Sequence, residues 1–236
     1  MCFVYGWIRG VSCYFSSIYS KLRINLNIKR TYEKLFMNLQ YQTWLFNVIA
    51  YFYQWFFKGQ VKGYSENLDK YGKHLNIPKG GKILDIGCGT GAFGKAFKLK
   101  DESYEVQGID IAEKMVKRAK KKNKLECELG DILEGLRFPD SSFDLVIAGM
   151  VLHGLDQKKR NVFYKETSRI AKEYVLFQDY SQGRKWYISL IEWIERGDYF
   201  NFVRSVPTEF ENFFDEVKVF EINSYTAWYL CKIPSE

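Results

Sequence analysis

The sequence predicts an α/β fold. It is a doubly wound, mostly parallel seven-stranded sheet with a C-terminal antiparallel hairpin and an N-terminal helical extension. Three observations predict it. From residue 82 onward, apolar runs of strand length alternate with segments of helical length, the pattern of a parallel sheet covered on both faces. The first run continues as "KILDIGCGTGAFG", Lys82–Gly94, with one acid followed by four glycines in eight residues. The last two runs, 216–222 and 226–233, are joined by "NSY", a connection tight enough for an antiparallel pair.

Taken in order, strands are expected over 82–86, 105–110, 125–129, 143–149 and 174–179. Helices are expected over 91–99, 112–122, 157–172 and 185–196, and the closing pair follows. Right-handed crossovers then fix most of the topology. The chain divides into an aromatic-rich helical extension, 1–62, and a ligand-binding α/β domain, 63–236. Within the extension, "RTYEKLFMNLQYQ" and "TWLFNVIAYFYQWFF" (residues 43–57) have helical character. The second is apolar almost all round. It falls short of the roughly 20 residues a membrane span needs, and Asn47 and Gln54 interrupt it. It suits a helix buried against the main domain, a surface that meets lipid or a greasy substrate, or, least well, a span. The first twenty residues lack a basic leader and are broken by Arg9, which makes a poor signal peptide; a lipoprotein reading through Cys13 would need a better leader still.

Composition narrows the chemistry. A formal charge of +7 permits an anionic partner without identifying one. The five cysteines are odd in number and contain no C-x-x-C, which points to a reducing compartment, the cytoplasm, rather than a disulfide framework. His74 and His153 lie far apart and offer no zinc spacing, so no metal is expected.

The glycine stretch lies where ligands bind in such sheets, beyond the carboxyl end of a strand. Glycine permits positive φ and lets backbone lie against a ligand. Two frames compete. Gly89, Gly91 and Gly94 fit the dinucleotide spacing G-x-G-x-x-G, but that frame opens four residues after Asp85, too late to close the strand. The other frame is Asp85, Gly87, Gly89, Gly91, with the acid at the strand's end facing the pocket. A carboxylate there repels a pyrophosphate and suits a ligand that carries positive charge. Cys88 sits inside the loop with no neighbouring base and reads as a small filler.

In that second frame "ILDIGCGTGAFG" resembles the first motif of the class I S-adenosylmethionine-dependent methyltransferases. "VQGIDIAEKMV" is similar to their second-strand motif, with Asp110 at its end, nineteen residues past Gly91. "LGDILEGLRFPDSSFDLVIAGMVLHGL" is similar to the stretch that flanks the adenine. The resemblance covers roughly residues 65–233. It implies S-adenosylmethionine as cofactor and S-adenosylhomocysteine as product. It implies cofactor contact by Asp85, Gly87, Cys88, Gly89, Gly91, Phe93, Asp110, Ile111, Met115, Asp131, Ile132, Ala148 and Gly149. Asp110 would accept from both ribose hydroxyls; it also suits a helix N-cap. Asp131 suits a plain turn as well.

Transfer from a sulfonium needs alignment and exclusion of water, and a base only where the acceptor must lose a proton. In such a family "GMVLHGL", Gly149–Leu155, would face the transferred methyl. It lacks the N-P-P-Y type motif of amide and amine methylating members. His153 is the candidate base there, or else a residue that orders the loop. Asp179 and Tyr180 reach the same face. Two aromatic segments, 184–214 and the N-terminal extension, could form an apolar lid. A small-molecule or lipid-like acceptor is therefore expected, with peripheral membrane contact through 43–57. The basic run Lys114–Lys124 suits a solvated helix face, an anionic lipid or RNA. It has no interleaved aromatics, so RNA is not favoured. The alternatives to a small-molecule enzyme are an RNA or protein methyltransferase and a binding protein that has lost transfer.

Overall fold

The computed structural model describes residues 43–44, 47–48, 55–181 and 198–234, all within one compact unit, Thr43–Glu236. Seven strands form one sheet in the order β3-β2-β1-β4-β5-β7-β6. They are β1 (Lys82–Ile86), β2 (Glu105–Asp110), β3 (Glu126–Leu129), β4 (Phe143–Gly149), β5 (Ala171–Tyr180), β6 (Glu216–Glu221) and β7 (Thr226–Lys232). The first five pair in parallel, and β7 runs antiparallel to both β5 and β6. Among the described residues, the helices that accompany them include α1 (55–71), α2 (Ala92–Lys100), α3 (Glu113–Asn123), α4 (Gln157–Ile170) and α5 (Tyr199–Phe213), and residues 43–44 and 47–48 are helical too. This is the doubly wound sheet with a closing hairpin that the alternation predicts. The reversal of strand order falls between β1 and β4, where such sheets bind ligands.

Strand side chains alternate between the two faces, so each central strand feeds two cores. Ile83, Leu145, Leu176 and Leu230 pack with Phe93, Phe97, Trp228 and Leu68 on one side. Leu84, Val146, Val175 and Phe177 pack with Phe163, Tyr164, Phe202 and Phe210 on the other. Burial on both faces explains why "ILDI" and "LVIA" read as continuous apolar runs. The "NSY" connection is closed by Asn223, whose Oδ1 accepts from Tyr225 N at 2.9 Å and Thr226 N at 3.0 Å.

Three local expectations change. Helix α4 stops at Ile170 rather than 172, and β5 starts at once with Ala171, which pairs with Phe143. No loop is needed, because the helix's last turn delivers Ala171 directly to the sheet. Helix α5 replaces part of the expected lid: Tyr199, Phe202, Val203, Val206 and Phe210 recur at helical spacing and are buried in the core. Pro207 inside α5 disguises that periodicity. The expected helix 185–196 lies outside the described residues. Helix α1 is the third change. Gly59 and Gly63 lower its propensity by roughly 1 kcal/mol each, and packing of the buried Leu68 supports it. Its last residue is tied down by Tyr71, whose Oη donates to Glu221 O at 2.8 Å.

The β3–β4 connection is stapled by Arg169. Its guanidinium donates to Leu136 O and Phe138 O and pairs with Glu166 and Asp140. Those hydrogen bonds carry the Glu166 carboxyl below its ordinary pKa.

Candidate functional site

The loop after β1 is built from the carboxylates of β1 and β2. Gly91 is the N-cap of α2 and has no side chain to cap it. Asp85 takes over: its Oδ2 accepts from Gly94 N at 3.0 Å, one of the helix's unpaired first-turn donors. The expectation that Asp85 faces the pocket is thereby corrected. It is 1% exposed and turned inward, and burial pushes its pKa up to about 7, with the Gly94 bond working downward and the Asp110 charge upward. Its part is to brace the loop on α2.

Asp110, at the end of β2, is the hub of the loop. Its Oδ2 accepts from Gly89 N and its Oδ1 from Ala112 N, each at 2.8 Å. Burial raises its pKa, and these two bonds oppose the shift. A carboxylate has about four lone-pair sites, so two remain for a ligand. Gly89 lies beside it with φ +54° and nothing within 4 Å of the place a Cβ would occupy. A left-handed backbone facing open space next to a carboxylate leaves room for the hydroxyls of a ligand. Gly87, φ +67°, is glycine for a different reason: a Cβ would stand 2.5 Å from Val151 Cγ2.

The other expected contacts separate into rim and support. Gly87, Gly89, Ile111, Asp131 and Gly149 are half-buried around the carboxyl ends of the strands. Phe93, Met115, Ile132 and Ala148 are buried behind them. Asp131 caps the short turn Ile132–Glu134 through Leu133 N at 2.9 Å, the turn role weighed from the sequence. Cys88 is a filler: its Sγ lies beneath the loop, 2.9 Å from Cys127 Sγ, leaving only its backbone toward the rim. Both are free thiols.

Gly149 shows what the sequence concealed. A Cβ there would come within 2.9 Å of Tyr64 Oη and 3.1 Å of Phe93 Cδ1. Tyr64 reaches in from α1 and stacks on Phe93, centroids 4.2 Å apart. Nothing in the spacing of α1 signals that one of its tyrosines walls the end of β4.

Beyond β4 the chain turns through Met150, a non-glycine residue at φ +59°. Its N–H donates to Gln178 O at 2.7 Å, which holds the unfavourable backbone in place. Asp179 then organises the whole turn. Oδ2 accepts from Val151 N and Leu152 N at 3.1 and 2.8 Å. Oδ1 accepts from Tyr180 N at 2.8 Å and lies 2.7 Å from His153 Nδ1. An acceptor so placed assigns the shared proton to Nδ1 of His153. The imidazole also meets the Tyr180 ring edge-on, 4.8 Å between centroids, and Tyr180 meets Tyr199 in the same manner at 4.9 Å.

Behind this turn lies a buried ion cluster. Arg160, 0% exposed, donates Nε and Nη2 to the two oxygens of Glu209 at 2.8 and 2.7 Å, and Nη1 to Asp198 Oδ2 at 3.0 Å. Burial works upward on the Glu209 carboxyl, but hydrogen bonds from Arg160 and Ser205 carry its pKa below the ordinary value. Asp198 N donates to His153 O at 2.8 Å, so the cluster ties α4, α5 and the His153 turn together.

Comparison with known proteins agrees with this geometry. A family model described as a methyltransferase domain matches residues 83–174. The chain is 33% identical over 109 residues to a demethylmenaquinone methyltransferase of Bacillus licheniformis, covering 44% of this chain and 46% of that one. It is 35% identical over 99 residues to a 2-methyl-6-phytyl-1,4-hydroquinone methyltransferase of Synechocystis, covering 41% and 30%. The chain thus spans less than half the length of these relatives. Among solved structures, a protein of Pyrococcus horikoshii superposes with TM-score 0.60 at 24% identity, over 75% of this chain and 91% of that one. A geranyl diphosphate C-methyltransferase of Streptomyces coelicolor, solved with S-adenosyl-L-homocysteine, superposes with TM-score 0.54 at 9% identity, over 72% and 80%. These two likenesses concern the fold. The β1 loop, the Asp110 hub and the match over residues 83–174 agree: this part of the chain is similar to a methyltransferase domain and has the class I, Rossmann-like fold.

Proposed function

We propose that this protein transfers a methyl group from S-adenosylmethionine to a small apolar acceptor of the quinone or hydroquinone type. The cofactor half of the reading is carried by one observation, the Asp110 carboxylate set between Gly89 N and Ala112 N beside an open left-handed glycine. When bound, S-adenosylmethionine supplies a methyl already activated on sulfur. The chain's own residues then bind and orient: Asp110 takes the ribose, the Gly87–Gly91 backbone lies along the ligand, and Asp131 with Ile132 borders the adenine. Asp85 acts through the loop it braces.

The acceptor half is supported by the named activities of the two relatives and by the His153–Asp179 pair. Asp179 orients His153 so that its ring takes the hydroxyl proton of an acceptor in the hydroquinone form as the S–CH3 bond breaks, the methyl joins oxygen or ring carbon and S-adenosylhomocysteine leaves; after carbon methylation the displaced ring proton restores the hydroxyl. Tyr180 and Tyr199 supply apolar, edge-on surface beside it. The buried thiols Cys88, Cys127 and Cys231 support a reducing, cytoplasmic setting.

The test uses methyl-labelled S-adenosylmethionine, the full chain and a demethylated quinol, with the products split into organic, acid-precipitable and aqueous fractions. Label in the organic phase is expected. His153→Gln should lower kcat by about 100-fold, the lower end for one general base, with S-adenosylhomocysteine affinity unchanged. Label confined to the precipitate would sink the small-molecule reading and favour RNA or protein as acceptor.

A further inference from the structure

We propose that the N-terminal helical residues and α3 together form a face that docks the protein on an anionic lipid bilayer beside the site. The observation is a juxtaposition of an exposed aromatic surface and an exposed basic one. Trp44, Val48, Trp55 and Phe56 are 59%, 45%, 73% and 66% exposed, and the neighbouring Lys58 is exposed too. Large apolar side chains so placed mark an interaction surface. Six lysines between Lys114 and Lys124 are exposed on and just after α3, while Met115, Val116 and Ala119 hold the helix's other face in the interior. The two surfaces are joined: Asn47 Oδ1 accepts from Lys114 N at 3.0 Å, in the first turn of α3.

The arrangement separates apolar from cationic groups instead of interleaving them. A strand of RNA calls for aromatics among the cations, where bases can stack. A bilayer calls for the opposite: tryptophan and phenylalanine entering the headgroup boundary, with lysines lying along an anionic surface. Among the described residues no helix is long and apolar enough to cross a membrane. The position also matters. Helix α1 carries Trp55 and Phe56 and, two turns on, places Tyr64 against Gly149 and Phe93. The helix that would enter the lipid therefore also walls the acceptor end of β4. This deepens the reading of a lipid-like acceptor, on which its purpose rests but its test does not.

The experiment is sedimentation of the full chain with vesicles of phosphatidylcholine alone and of phosphatidylcholine with phosphatidylglycerol, at low and high salt, with tryptophan emission followed in parallel. Binding to the anionic vesicles is expected, with a blue shift and loss at high salt. Each lysine near an anionic surface is worth on the order of fivefold in partition, so Lys120→Glu with Lys121→Glu and Lys122→Glu should weaken binding at least about 100-fold. Trp55→Ser with Phe56→Ser should abolish the blue shift and weaken binding to both lipid mixtures. No binding to anionic vesicles, or binding that neither variant changes, overturns the proposal. So does a gel shift with RNA lost in the lysine variant without vesicle binding, or a dimer in light scattering that the Trp55–Phe56 variant dissociates. Calorimetry with S-adenosylhomocysteine on the same samples keeps the readings apart. Wild-type affinity in both variants is expected, and failure of the unaltered chain to bind would sink the cofactor reading while leaving the docking result standing.

Discussion

The two halves of the site are held by different kinds of bond. Around β1 and β2, backbone N–H groups close on two aspartates: Gly94 on Asp85, Gly89 and Ala112 on Asp110. Around β4 and β5, Asp179 likewise collects backbone N–H groups, and side-chain pairs are added to them: His153 with Asp179, 26 residues apart, and Arg160 with Glu209, 49 apart. The first half is a local backbone shape that a few glycines and carboxylates specify. The second is a set of partnerships that exist only once α4, α5 and β5 have packed. A site of this construction can keep one ligand while its other side is rebuilt.

The largest expected effect falls on the second half. Arg160→Met leaves the buried Glu209 carboxylate without its partner and should cost about 3–5 kcal/mol of stability by chemical denaturation. Adding Glu209→Leu should recover part of that, because the uncompensated charge goes. If the single variant lost less than about 1 kcal/mol, the cluster would not be what holds α5 and the comparison would break. Next comes Asp110→Ala, which removes the charge-assisted hydrogen bonds proposed to reach the ribose. It should weaken S-adenosylhomocysteine binding by roughly 2–4 kcal/mol, about 30- to 1000-fold. An unchanged affinity in calorimetry would show the ribose assignment wrong.

Two smaller effects sharpen the contrast through pH. Asp85, raised to about 7 by burial, stays protonated in the fold at acidities where the unfolded chain ionises. Its contribution to stability is complete below the unfolded value near 3.8 and is lost as pH rises through about 7. Asp85→Asn keeps an acceptor for Gly94 and should raise stability at pH 8 by roughly 1–2 kcal/mol, the new amide protons offsetting the rest of the gain. A variant less stable than the parent at pH 8 would refute it. Glu166 has the opposite sign. Its lowered pKa stabilises the fold above the unfolded value near 4.5, and that contribution is lost as pH falls through the folded value. Glu166→Gln should flatten the acid limb of the thermal-stability profile and cost about 1 kcal/mol at neutral pH. An unaltered acid limb would show that the Arg169 staple does not report on that carboxyl.

Legibility in the sequence follows the same division. The glycine loop, Asp110 and the seven strands could be located because strand periodicity and turn chemistry are local. Helix α1 was legible only in its first residues, within the helical run 43–57; beyond them Gly59 and Gly63 argue against a helix whose support is tertiary, and α5 hides behind Pro207. His153 stood out as an ionisable residue in the expected turn. Its tie to Asp179 did not, because spacing carries no record of which distant carboxylate folds back on which imidazole. Tyr64 was invisible for a related reason: its significance lies wholly in Gly149, on another element. Asp85 misled because a strand-end acid can point to either side of the loop, and the pull of an uncapped helix decided it.

The contact between Gly87 and Val151 has a consequence for inheritance. Val151 already occupies the place of the side chain that Gly87 lacks, and the backbone at Gly87 is left-handed. A larger residue at 87 would demand both a smaller one at 151 and a conformation that non-glycine residues rarely adopt. Single mutational steps away from the glycine are therefore closed twice over. Drift can proceed at 151, toward smaller side chains, long before it can begin at 87, so descendants of this chain should diversify from the acceptor side inward.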